Sequence, residues 1–151
     1  MLSSSRNQRG LPLRRIAICQ AIWQLLGGDE VCPIVTSEAS EHGSQTSFNQ
    51  TRNVVYLGAD VEPGLGTEAR VRMSEIACLA HELAHAERFR LGYDRTDTEA
   101  ATLIDEAETS LRASFSLSLS ITDRRDLIED ARDQITMRLA YPVSQEETYE
   151  D

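Results

Sequence analysis

Leu79-Ala80-His81-Glu82-Leu83-Ala84-His85-Ala86 is the stretch on which the reading of this chain turns. Positions i and i+4 of a helix lie on one face about one turn apart, so the imidazoles of His81 and His85 can reach a single Zn²⁺. Glu82, one step round from His81, is then placed to act as general base toward a water on the metal. Two of the chain's three histidines are spent on this pentapeptide. The competing reading is that both are ordinary helix residues packed near the core, with Ala80 and Ala84 leaving room beside them.

The flanks predict a helix around the motif. No Pro or Gly interrupts the chain between Gly66 and Gly92, and Ile76, Leu79, Ala80, Leu83 and Ala84 recur at three- and four-residue spacing. A single helix over 67–91 follows, stopped by Gly92. Before it, the pattern predicts a helix over 12–26, with Leu13, Ile16, Ala17, Ala21, Ile22 and Leu25 inward. Short strands are expected over 31–36 and 53–57, separated by a polar loop over 38–50, with a turn over 60–66. After it, Asp94 or Asp97 can cap a helix whose inner face is Ala100, Leu103, Ile104, Ala107, Leu111 and Phe115. Residues 116–120, alternating Ser and Leu, fit either the tail of that helix or an extended stretch. Thr122-Asp123 opens a last helix with Leu127, Ile128, Ala131, Ile135 and Leu139 inward. The expected fold is α+β and mostly helical: a two- or three-stranded sheet packed on the motif helix, followed by a ligand-bearing helix.

With 151 residues the chain is long enough for one domain with a core that needs no disulfides. That domain is expected over 11–142, between a disordered polar leader over 1–10 and a flexible acidic tail over 143–151. A net charge of -10 argues against nucleic acid and toward a basic peptide or partner. Cys19, Cys32 and Cys78 are odd in number and widely spaced, which predicts reduced core thiols of a cytoplasmic protein. No segment reaches the length of a membrane span, and the leader has no apolar secretory stretch, although Ser-rich leaders also serve specialised secretion systems.

A catalytic zinc ion takes three protein ligands and keeps one open position, so the pentapeptide needs a partner. In the following helix Glu99 and Glu106 share a face. Glu106 is the first choice and Glu99 the second, Asp105 pointing away from the apolar stripe and Glu108 lying on the opposite flank. His42, in a glycine-flanked loop, is the remaining alternative. Charged residues of this kind also serve simply to solvate a helix face. Tyr93 or Tyr141 can donate a hydrogen bond to the oxyanion of a tetrahedral intermediate, and the 53–57 strand can offer an edge to an extended peptide.

Asn53-Val54-Val55-Tyr56-Leu57, the histidine motif, and Asp105-Glu106-Ala107-Glu108-Thr109 together resemble the small effector-type metallopeptidases (zincins) delivered by bacterial secretion systems, over roughly residues 53 to 111. The resemblance implies a zinc-dependent endopeptidase acting on a specific protein substrate. It points to Glu106 as ligand through an acidic pair followed by Thr. Here Asp stands first and Glu108 precedes the Thr, so the choice between Glu106 and Glu99 stays open. A second resemblance is to the ImmA/IrrE group of regulatory proteases. A third reading, from another class, is an interaction module in which the motif is structural, with or without zinc, and Glu82 has no task.

Overall fold

A computed structural model describes residues 5–94 and 98–140. Helix α1 spans Leu13–Leu25 and starts directly after Pro12, whose carbonyl accepts from Arg15 and Ile16. It buries Ile16, Cys19 and Trp23. The expected inner face is therefore rotated: Leu13 and Leu25 are exposed, and the apolar side follows the i, i+3, i+7 line through Cys19. Gly28 follows because the indole of Trp23 lies over it; a Cβ there would fall 2.2 Å from the ring. Trp23 in turn donates its indole N–H to the carbonyl of Cys32 at 3.1 Å.

The sheet has three strands, β1 (Ile34–Val35), β2 (Ser47–Asn49) and β3 (Val54–Tyr56), in the order β1-β3-β2. β1 runs parallel to β3, and β2 runs antiparallel with Phe48 opposite Val55. β2 falls inside the segment expected to be loop, because its polar Ser47 and Asn49 flank the single apolar Phe48. The strand expected to offer an edge, β3, is the central one. Its Val55 N–H donates to Pro33 at 3.0 Å and its Leu57 N–H to Val35 at 2.8 Å, so these residues serve β1. Alternate residues of a strand direct their peptide groups to opposite sides. β2 must therefore bond through Val54 and Tyr56, and Phe48 turns its own N–H and C=O away from β3, toward the edge that no described strand pairs with.

The helix expected over 67–91 is two helices, α2 (Ala69–Arg72) and α3 (Glu75–Arg90). Met73 and Ser74 between them are extended, and the Ser74 hydroxyl accepts from the Ala77 amide at 3.2 Å. A serine followed by an acid in the first turn is an N-terminal signature that apolar periodicity overrode. The other end of α3 closes as expected. Gly92 has φ 97°, its N–H donates to Phe89 and the Tyr93 N–H donates to Arg88, the paired bonds of a glycine-terminated helix.

Helix α4 (Glu99–Ala113) is capped by Thr98, whose hydroxyl accepts from Ala101 at 3.1 Å. Asp94 instead binds the Gln50 side chain, and Asp97 lies outside the described residues. Helix α5 (Ile121–Leu139) is capped by Ser120 rather than Thr122-Asp123, and 116–120 form a turn. The inner faces of both helices differ from the apolar stripes expected. α4 buries Ala100, Glu106, Ala107, Thr109, Ser110 and Ala113, while Ile104, Leu111 and Phe115 are exposed. α5 buries Asp126, Leu127, Asp130, Ala131 and Gln134, leaving Ile128, Ile135 and Leu139 exposed. Small and polar side chains fill the space between α3, α4 and α5.

The fold is thus α+β and mostly helical, with the apolar core between α1, the sheet and α3 built on Trp23, Val55, Leu57, Cys78 and Leu79. The packed part begins before residue 11: the Arg6 side chain is 2% exposed and donates to the carbonyls of Asp60, Val61, Arg70, Val71 and Met73. Five carbonyls converging on one guanidinium give the 1–10 segment, expected to be disordered, a fixed anchor at Arg6. Residues 1–4 and the expected acidic tail lie outside the described residues. Among the described residues no helix is long and apolar enough to cross a membrane.

Candidate metal centre

α3 is buried on every side from Ala77 to Ala86. One flank meets the apolar core, and the other turns His81 and His85 toward α4. There Glu106 stands between them, its Oε2 2.9 Å from His81 Nε2 and its Oε1 3.2 Å from His85 Nε2. The two rings are edge to face, 4.7 Å between centroids. One donor atom from each residue lies within 4.8 Å of the others.

Two ligands of a tetrahedral zinc ion, each about 2.0 Å from it, sit about 3.3 Å apart. The observed carboxylate-to-imidazole distances are close to that spacing, so small outward shifts of three side chains admit the ion. The donor set, two imidazole nitrogens and one carboxylate, suits Zn²⁺. Electrostatics agree. Burial alone would raise the Glu106 carboxyl, but hydrogen bonds and charge from His81 and His85 hold it well below the usual carboxylate range. Burial disfavours a charged His81, yet the hydrogen bond and charge of Glu106, with Glu82 and Asp130 adding to it, lift its pKa above the ordinary value. The space between the three side chains stabilises positive charge, whether carried by protons or by a dication.

The outer nitrogens of the two rings are also held. Thr109 donates its hydroxyl proton to the Asp105 carbonyl at 2.7 Å, so at 3.3 Å from His85 Nδ1 it can only accept. His85 Nδ1 therefore donates, which leaves Nε2, the nitrogen that faces Glu106, as the one a metal ion would take. His81 Nδ1 lies 2.9 Å from the Ser110 hydroxyl, which donates to Asp130 at 2.7 Å.

Glu82 is 3% exposed, and its carboxylate makes no hydrogen bond with the described residues. Beside His85 opens a cleft of about 230 Å³ lined by Phe48, Gln50, Arg88, Phe89, Tyr93 and Asp105.

Of the residues singled out in the sequence, the structure brings together His81, His85 and Glu106, with Glu82 on the same helix. Glu99 does not join them: it is exposed at the start of α4, and seven residues of helix separate it from Glu106 by about 10 Å. His42 is exposed in its loop, outside the cluster. Tyr93 is 56% exposed at the cleft rim, with the Arg88 guanidinium 4.5 Å from its ring centroid. Tyr141 lies outside the described residues. Asp105, expected to point away, faces the cleft, 3.7 Å from His85 Nδ1 and 3.3 Å from Arg88.

Ser110 and Asp130 were not anticipated. Their trace in the sequence is a polar line at four-residue spacing, Glu106-Ser110 on one helix and Asp126-Asp130-Gln134 on the next, running beside alanines. No family model, no curated protein sequence and no solved structure matches the chain. The argument for function therefore rests on the geometry of these residues.

Proposed function

We propose that this protein is a zinc-dependent endopeptidase with His81, His85 and Glu106 as metal ligands and Glu82 as general base. The observation that carries the reading is the convergence of both imidazole Nε2 atoms on the two oxygens of one buried carboxylate. Zn²⁺ bound there would acidify a water and polarise a peptide carbonyl. Glu82 accepts the proton of the attacking water and returns it to the leaving amine. Its position next to His81 on α3 supports this role over a purely structural site, which has no use for a second acid.

The edge of β2 that no described strand pairs with supports a peptide as substrate. Phe48 presents its N–H and C=O there while its ring, 5.8 Å from that of Phe89, lines the cleft. An extended backbone pairing with Phe48 would lie beside His85. The net charge of -10 favours a basic segment. Tyr93 at the rim is placed to meet substrate and can supply a donor to the oxyanion if its side chain turns inward from Arg88.

The test is zinc content by metal analysis combined with cleavage of a mixed peptide pool, for the wild type and Glu82→Gln. The variant keeps zinc and loses cleavage by about 10²- to 10⁴-fold. Zinc-loaded wild type that leaves every peptide intact would point instead to a non-catalytic zinc module.

A further inference from the structure

We infer that Ser110 and Asp130 form a relay that fixes the tautomer and orientation of His81, making Asp130 of α5 a positioning residue for the metal centre. The inference rests on the zinc-site reading above but not on peptidase activity. Three observations support it.

The first is the direction of the hydrogen bonds. The Ser110 hydroxyl donates its one proton to Asp130 Oδ2 at 2.7 Å. That hydroxyl can then only accept from His81 Nδ1 at 2.9 Å. Nδ1 of His81 is thereby a donor, which leaves Nε2, the nitrogen that faces Glu106, as the one a metal ion would take.

The second is burial. His81, Ser110 and Asp130 are all buried, so water is not available to replace a missing link. Gln134 closes the far end, its amide donating to Asp130 Oδ1 at 3.4 Å.

The third is the architecture. α5 turns Asp126, Asp130 and Gln134 inward although Ile128 and Ile135 are left exposed. A helix packed for apolar burial alone would be rotated the other way. Outer partners that orient a ligating histidine typically change metal affinity by about 10- to 100-fold.

The experiment measures zinc affinity by competition with a chromophoric chelator for wild type, Ser110→Ala, Asp130→Asn and the double variant, together with visible spectra of the cobalt-substituted proteins. Asp130→Asn fills the same space, so packing is nearly unchanged. Each single variant is expected to lose about 10- to 100-fold in affinity and to change the cobalt spectrum. The double variant is expected to lose no more than the worse single one, since position 130 acts on His81 through the Ser110 hydroxyl, which Asp130→Asn leaves bonded to a neutral amide and Ser110→Ala removes. Folding is followed by circular dichroism; if Ser110→Ala unfolds, the isosteric Asp130→Asn protein decides alone. Wild-type affinity in folded variants, or losses that multiply in the double variant, overturns the relay. A wild type that takes up no zinc overturns both the relay and the endopeptidase reading. Zinc uptake with the expected losses but no peptide cleavage retains the relay and removes the endopeptidase.

Discussion

The guanidinium of Arg6 donates to the carbonyl of Met73 at 3.0 Å, tying the start of the described chain to the residue just before the Ser74 cap of α3. Four further carbonyls share the same cation. Arg6→Ala strands all five in a buried space, and the expected loss of stability is about 3 kcal/mol or more. Arg6→Lys recovers part of it, because an ammonium cannot reproduce the planar fork. Urea denaturation of the three proteins checks this; a variant as stable as the wild type refutes it.

Glu106→Gln and Glu99→Gln separate the two acids that the sequence left open. The Glu106 variant is expected to lose at least about a hundredfold in zinc affinity, more than an outer partner would cost. Glu99→Gln is expected to bind zinc as the wild type does. The reverse order in a chelator competition would remove Glu106 from the centre.

Asp60 gives a pH dependence that does not involve the ligands. Burial raises its pKa despite the Thr46 amide 2.6 Å away and the charge of Arg6. A group whose pKa is higher folded than unfolded contributes stability below its unfolded value, 3.8, and loses it as pH rises through the folded one. Asp60→Asn keeps an acceptor for Thr46 and removes the titration. Its stability relative to the wild type should therefore climb as pH rises from 4 toward neutrality, read from urea midpoints; a flat difference contradicts the assignment.

The cysteines should be inert in the native state. Burial pushes Cys19 and Cys32 up to about 11 and raises Cys78 further. All three are free and buried. At pH 8 an aromatic disulfide reagent is expected to react only as fast as the protein opens, with three equivalents released promptly in denaturant. Rapid native-state labelling of any one would show a more open core.

The pentapeptide, its helix and its glycine stop were legible because spacing on a helix is fixed by geometry: His81, Glu82 and His85 could fall nowhere else. Glu106 was the first of two choices that the spacing left open, and its burial was not legible. Apolar periodicity assigned Ile104, Leu111, Ile128 and Ile135 to the interior, whereas the helices are turned by Glu106, Ser110 and Asp130. A polar side chain can be buried only when its partner is placed as well, and that partner lies on another helix 20 residues away in the case of Ser110 and Asp130. The break at Ser74 was visible as a capping residue, and β2 was hidden because three residues, only one of them apolar, carry almost no periodic signal.

The two proposed histidine ligands sit on α3 and the proposed carboxylate ligand on α4, helices that also meet through ion pairs such as Arg88 with Asp105. A bound dication would act as a rivet through the helix pair, so the concentration of free zinc would set how firmly the second half of the molecule is fastened to the first. Chelation should then lower the melting temperature in step with the logarithm of the free zinc concentration that remains. The cross-brace proposed to activate a water would thereby make the chain's lifetime in its surroundings depend on metal supply.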